Sequence, residues 1–339
     1  MKRSAIVVVL FTAAVAVAAA QPHGKAYEIK SLPALAAGAR WSSAAAVNSR
    51  GQIAGWSVSA SGEEHAVLWT RDRVTDLGTL PGSDFSAATH LNDRGDVVGY
   101  GTTADGELHA VLWTRGEVID LNQLGPAGFS SYSVAYGINN RGQIVGSTTV
   151  TNGDQHAFLW EDGVMTDLGA LPADLASIAW AINNRGQVVG VSAGFGGQHA
   201  FLWEVGTMTD LGVLPGGDFT SATDVTNSGD IAGIGNVVPF GDNHAFLWRN
   251  GVFFDLGVPF WATTTFARAV NERQEIVGEA FIAPGVITAI VWQKGRFIEL
   301  GSPGSVGSRA WDINDAGTIV GESTTPQHGT RAVVWEPVR

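Results

Sequence analysis

The sequence predicts an all-β fold: a seven-bladed β-propeller of four-stranded blades, its ring closed by the N-terminal strand. Three observations predict it. A unit of about 44 residues recurs seven times. Each unit reads as four short strands separated by turn signals. The last unit lacks its fourth strand, while the start of the chain supplies a stray one.

The repeat shows most plainly in HAFLWEDGVMTDLG at 156–169 and HAFLWEVGTMTDLG at 199–212. Its tryptophan recurs at Trp69, Trp113, Trp160, Trp203, Trp248, Trp292 and Trp335, with spacings of 44, 47, 43, 45, 44 and 43. Glycines keep step at Gly55, Gly99, Gly146, Gly190, Gly233, Gly278 and Gly321. So do alanines at Ala44, Ala88, Ala135, Ala179, Ala222, Ala267 and Ala310. A period of this length with four strands per unit is the signature of propeller blades.

Within a unit, strand one resembles SIAWAIN and ends in N-x-R-G, a tight turn in which glycine takes positive φ. Strand two is GQIVG-like, and a polar loop of variable length follows it. Strand three is HAFLW. The pairs Asp162-Gly163 and Asn250-Gly251 mark a type I′ turn into strand four, MTDLG. No segment of the repeats carries a convincing helical period. The alanines belong on the innermost strand, where blades crowd the axis and larger side chains would overpack. Tryptophan and phenylalanine lie farther out, where the blades diverge.

Closure separates a ring from an open solenoid. The seventh unit stops at Trp335-Glu336-Pro337, and Tyr27–Pro33 matches the missing strand when aligned with Thr75–Pro81. Pairing of the two ends leaves no open sheet edge. Five units carry a histidine diagonal to an acid across the strand three–four hairpin: His65 with Asp76, His109 with Asp120, His156 with Asp167, His199 with Asp210, and His244 with Asp255. Unit six has Thr288 and Glu299. In unit seven the alignment sets Arg331 against Glu28, an expected ion pair across the closure.

Composition narrows the function. The first 20 residues join Lys2-Arg3, an apolar run and small residues at Ala18 and Ala20, the pattern of a cleaved secretory signal peptide. Residues 21–339 then form one propeller domain with no transmembrane segment after cleavage, secreted or periplasmic. Without Lys2 and Arg3, 18 basic residues face 32 acidic ones, a net charge of −14. So acidic a chain repels phosphate backbones, which argues against nucleic-acid partners. There is no cysteine, hence no disulfide and no thiolate chemistry.

No catalytic residue, metal site or cofactor is assigned. The histidines sit one per blade, too far apart to converge on one ion, so each His–Asp pair reads as a structural hydrogen bond. Arg50, Arg94, Arg141 and Arg185 of the N-x-R-G turns are also structural. Asp105-Gly106-Glu107 and Asn152-Gly153-Asp154 lack the ligand spacing of a calcium loop. No nucleophile elbow, P-loop, zinc-protease or dinucleotide motif occurs.

The candidate binding residues are those that break the repeat. Trp180 and Trp311 share one innermost-strand position with Tyr136 and Arg268. Trp41 and Trp261 lie on loops entering strand one, and Trp56 begins a loop after strand two. These loops emerge on one face, and Trp, Tyr and Arg are favoured at binding surfaces.

The unit I-N-N-R-G-Q-I-V-G, H-A-F-L-W, M-T-D-L-G-x-L-P resembles the HAF-repeat family of probable extracellular bacterial proteins, after the His-Ala-Phe at 156–158, 199–201 and 244–246. The likeness covers nearly the whole mature chain. It weakens where units one and two read His-Ala-Val and where units six and seven lose the histidine. It implies secretion and repeats, and no reaction. The expectation is a binding or scaffold module for a protein or glycan partner on the long-loop face. The alternatives are a hydrolase or lyase acting at the channel mouth, marked by converging acids or histidines, and a structural envelope or matrix component.

Overall fold

The computed structural model describes residues 27–122, 129–302, 305–327 and 329–338. The expected signal peptide, residues 1–20, lies outside the described residues. Among the described residues, twenty-eight strands form seven four-stranded antiparallel sheets arranged as a ring. Blade one comprises β2 (Ser42–Val47), β3 (Gln52–Val58), β4 (Glu64–Thr70) and β5 (Arg73–Asp76). The next five blades, β6–β9, β10–β13, β14–β17, β18–β21 and β22–β25, span Ser86–Asp120, Phe129–Gly169, Asp174–Gly212, Thr220–Gly257 and Thr264–Glu299. Blade seven joins β26 (Gly307–Ile313), β27 (Ile319–Thr325) and β28 (Gly329–Pro337) to β1 (Tyr27–Ser31) from the other end of the chain.

Turn chemistry behaves as the sequence predicts. Arg115-Gly116, Asp162-Gly163, Val205-Gly206, Asn250-Gly251 and Lys294-Gly295 all have positive φ at both positions, the condition of a type I′ hairpin. The asparagine closing strand one works in three directions. Asn48 Oδ1 accepts the amides of Arg50 and Gln52, and its Nδ2 donates to the carbonyl of Asn92 in the next blade. The same reach runs from Asn92 to Asn139, Asn139 to Asn183, Asn183 to Thr226, Asn271 to Asn314, and Asn314 back to Asn48. These six hydrogen bonds run around the axis and break only between blades five and six, where Thr226 replaces asparagine and its hydroxyl bonds within its own turn to Ser228 and Asp230.

A second seam joins blades farther out. The backbone amide of the alanine in strand three donates to a hydroxyl on the next blade's strand one. The pairs are Ala66–Ser86, Ala110–Ser133, Ala157–Ser177, Ala200–Thr220, Ala245–Thr265, Ala289–Ser308 and Ala332–Ser42, at 2.8–3.0 Å. These amides are buried, and leaving one unpaired costs about 1–3 kcal/mol. The apolar core is divided among the seven interfaces, with fully buried Phe158, Phe201, Phe246 and Trp335 filling the wedges.

The alanine and glycine columns have one cause. Every strand one carries a β-bulge immediately after its column alanine, and that alanine pairs with the column glycine, as Ala44 with Gly55 and Ala179 with Gly190. A Cβ on Gly55, Gly99, Gly146, Gly190, Gly233, Gly278 or Gly321 would come closer than 3.0 Å to the carbonyl oxygen of the residue preceding that alanine. The bulge presses backbone against backbone there, so only glycine fits.

The closure differs from the sequence alignment by three residues. Ile29 pairs with Trp335 and Ser31 with Val333, whereas in blade one Val74 pairs with Trp69 and Asp76 with Val67. Ser31 therefore occupies the acid position, and Leu32 donates to Ala332 O as Leu77 does to Ala66 O. Glu28 lies opposite Glu336, far along the strand from Arg331, which pairs with Ser323. The expected Arg331–Glu28 pair is thus replaced by an exposed Lys30 bridging Glu336 at 2.5 Å and Glu28 at 3.8 Å. Aligning on the acid favoured Glu28, but backbone pairing and burial of Ile29 against the Trp335 cluster set the register.

Candidate functional site in the central channel

The bulge that excludes side chains at the glycine column brings the two residues after it to the channel wall, where all but Ala46 line it. The first is Ala45, Thr89, Tyr136, Trp180, Thr223, Arg268 or Trp311 in successive blades. The second is Ala46, His90, Gly137, Ala181, Asp224, Ala269 or Asp312. Together they make a channel with three levels.

The wide level is a cavity of about 550 Å³ containing the whole first set, together with Trp56 and Tyr100. Tyr136 and Trp180 meet with ring centroids 4.6 Å apart at 55°. Arg268 lies over Trp311 at 4.9 Å, and its guanidinium grips the buried Glu279 through both carboxylate oxygens. Glu322 on the same wall is held by Arg309 at 2.9 Å. Both charged side chains of this level are thus neutralised by a partner.

Five of the seven residues proposed from sequence come together here: Trp56, Tyr136, Trp180, Arg268 and Trp311. Trp56 lies within β3, not in the loop after it. Trp41 and Trp261 do not line the cavity. Trp41 is 51% exposed on the loop before β2, and Trp261 lies in the turn between β21 and β22. Loop aromatics at the blade tops sit too far from the axis to reach the lumen, whereas the strand-one position points into it.

The middle level holds His90, Asp224 and Asp312, which line both the wide cavity and a smaller one beyond it. Each aspartate spans two blades. Asp224 Oδ1 accepts the amide of Val225 and Oδ2 that of Val270, while Asp312 accepts those of Ile313 and Val47. Burial nevertheless dominates. It pushes the Asp224 carboxyl up to about 7, the amides pulling down and the nearby Asp312 and Glu272 charges pushing further up. Burial raises Asp312 as well, opposed by His90 and its two amide donors. Burial holds His90 below the ordinary imidazole range, and its Nδ1 is buried with no hydrogen-bond partner. Sequence reasoning missed this triplet. The available signal was a column of alanine and glycine in four blades interrupted by three ionisable residues.

The narrow level, about 190 Å³, is the asparagine end. A series of six amide-to-side-chain bonds runs around it, from Ser49 N to Asp93, Asp93 N to Asn140, Asn140 N to Asn184, Asn184 N to Asn227, Asn227 N to Glu272, and Glu272 N to Asp315. These acids are spent on blade-to-blade bonding.

The His–Asp pairs lie away from the channel lining. His65, His109, His156, His199 and His244 contact Asp76, Asp120, Asp167, Asp210 and Asp255 at 2.8–3.0 Å through Nδ1. The same aspartates accept a backbone amide two residues on, as Asp167 does from Gly169. Each pair pins the end of a fourth strand to the third. Among the described residues, no three His, Asp or Glu side chains are grouped to hold a metal ion. No described helix is long and apolar enough to cross a membrane.

No family model matches the chain, and no curated protein matches it. Among solved structures it is similar to a puromycin-hydrolyzing peptidase of Mycobacterium tuberculosis, at 12% identity and a TM-score of 0.58, over 91% of this chain and 54% of that one. It is also similar to a prolyl endopeptidase at 11% identity and a TM-score of 0.50, over 86% of this chain and 49% of that one. The chain thus spans about half the length of these two proteins. At such identities the likeness is one of fold: a seven-bladed, all-β propeller.

Proposed function

We propose that this protein is a secreted or periplasmic binding module that takes a small ligand, or one group of a larger partner, into the wide mouth of its channel. The observation that carries this reading is the gathering around one cavity of Tyr136, Trp180 and Trp311, which share one innermost-strand position, with Trp56 from β3. Repeat geometry does not require them, since Ala45, Thr89 and Thr223 fill the same position in other blades. The cavity volume lies within the ordinary range for small-molecule sites, about 300–1,000 Å³. Stacking surfaces above a polar floor suit a ring-bearing ligand, glycans included. The resemblance to the HAF-repeat family supports the extracellular setting.

Tryptophan fluorescence of the mature protein, titrated with glycan and small-metabolite libraries, tests the reading. A hit should quench emission and lose affinity in Trp180→Leu, while Trp41→Leu leaves it unchanged. Hits indifferent to Trp180→Leu and Trp311→Leu would overturn it.

A second reading, a hydrolase or lyase at the channel mouth, draws on Asp224 and Asp312. A buried carboxyl raised toward neutrality serves as a general acid. Turnover of chromogenic glycosides that is abolished by Asp224→Asn would favour it over binding alone.

A further inference from the structure

The charges along the channel do not cancel at its floor. In the wide cavity Arg268 is matched by Glu279 and Glu322 by Arg309. Beneath them Asp224 and Asp312 face the lumen, with His90 as the third ionisable group of the ring. His90 Nδ1 is buried without a partner, so the polar floor is incomplete as it stands. The wall already holds one cation over an indole face, the Arg268 guanidinium on Trp311. Aromatic rings above carboxylates are the surroundings that attract an ammonium group, whose charge is drawn both to π-faces and to acids. The acidic chain as a whole concentrates cations near its surface.

We propose that the channel ligand is a small organic cation, an amine or quaternary ammonium on a ring, stacked among Trp56, Tyr136, Trp180 and Trp311 with its charge toward Asp224 and Asp312. This deepens the binding reading and rests on it. A neutral sugar would hydrogen-bond these carboxylates through its hydroxyls but leave the Asp224 charge unmatched, whereas an ammonium group answers it. The proposal also couples binding to protons. A cation at the floor favours ionised Asp224 against the groups that oppose ionisation: Asp312, Glu272 toward the asparagine end, and the buried surroundings themselves. Arg268 is already committed to Glu279, and the other titratable groups around the floor are His90 and, beyond it at the asparagine end, Asp93 and Asp315.

Calorimetry with benzylamine, benzyltrimethylammonium and benzyl alcohol tests this. The two cations should bind about tenfold or more tightly than the alcohol. Benzyltrimethylammonium cannot lose a proton, so at pH 7 the protons it displaces into buffers of different ionisation heat come from the protein. Asp224→Asn, nearly equal in shape, should lose most of the cation preference and the proton release, with the melting temperature read alongside to confirm folding. Benzyl alcohol binding as well as the cations, or cation binding without proton release in the unmutated protein, overturns the proposal. Quenching by neutral phenyl glycosides with none by the cations overturns it while leaving the binding reading intact. No quenching in any arm removes both.

Discussion

The amide of Ala332 donates to the hydroxyl of Ser42, 290 residues earlier in the chain, at 3.0 Å. Six equivalent bonds join consecutive blades, and this seventh makes the seam circular. Asn314 Nδ2 donating to Asn48 O and Val47 N donating to Asp312 Oδ2 repeat the closure nearer the axis. The ring is therefore held by contacts among the most distant in the sequence.

Ser42→Ala leaves a buried amide without an acceptor and should destabilise the protein by about 1–3 kcal/mol. Ser177→Ala, the equivalent change inside the chain, should cost a similar amount. Urea denaturation of both measures whether the closing joint bears the same load as an internal one. Removal of residues 27–35 should lower the melting temperature further, because β28 and the Trp335 cluster lose their cover.

Arg331→Glu and Glu28→Arg should show no coupling in a double-mutant cycle, since the register separates them along the closing strand pair. Ser31→Asp with Arg331→His should instead rebuild the His–Asp pair of the other blades, the double variant being more stable than the singles predict. A positive coupling between Arg331 and Glu28 would show that β1 pairs three residues out of this register.

Gly190→Ala places a methyl group against the carbonyl of Ile178, where only backbone movement relieves the clash. Overpacking of this kind costs about 1–3 kcal/mol. Gly163→Ala, at an open turn with positive φ, strains one residue without touching a neighbour. Chemical denaturation should therefore show a native-state packing defect only in the former, seen as altered near-ultraviolet circular dichroism.

The Asp224 carboxyl is raised in the folded state, from 3.8 to about 7. The folded protein then holds a proton that the unfolded chain has released, so this group's contribution is full below pH 4. It is lost as pH climbs through about 7, with a slope of at most about 1.4 kcal/mol per unit. His90 acts with the opposite sign: its depressed pKa removes stability as pH falls below the ordinary imidazole value. The stability difference between the wild-type protein and Asp224→Asn, followed from pH 4 to 8, isolates the aspartate. It should shrink or reverse across that window, and a flat difference would mean that Asp224 is ionised throughout.

Repetition made the architecture legible. Trp69 and its six counterparts and the glycine column each say the same thing seven times, the hairpin turns ending in glycine say it five times, and local turn chemistry is a property of adjacent residues. The aromatic set was half legible: Tyr136, Trp180, Arg268 and Trp311 share a column, while Trp41 and Trp261 were grouped with them only by kind. His90, Asp224 and Asp312 escaped notice because each is ordinary alone. Their meaning arises only when a bulge turns them inward and the ring brings blades two, five and seven around one axis.

The sequence by itself determined the number of blades, their strands and turns, and the need for the two ends to meet, since these follow from short-range pattern and from a missing strand. Only the tertiary structure decided the register of that meeting and the contents of the channel. Backbone pairing and burial act on whole strands, and they outweigh any single charge that a linear alignment would match.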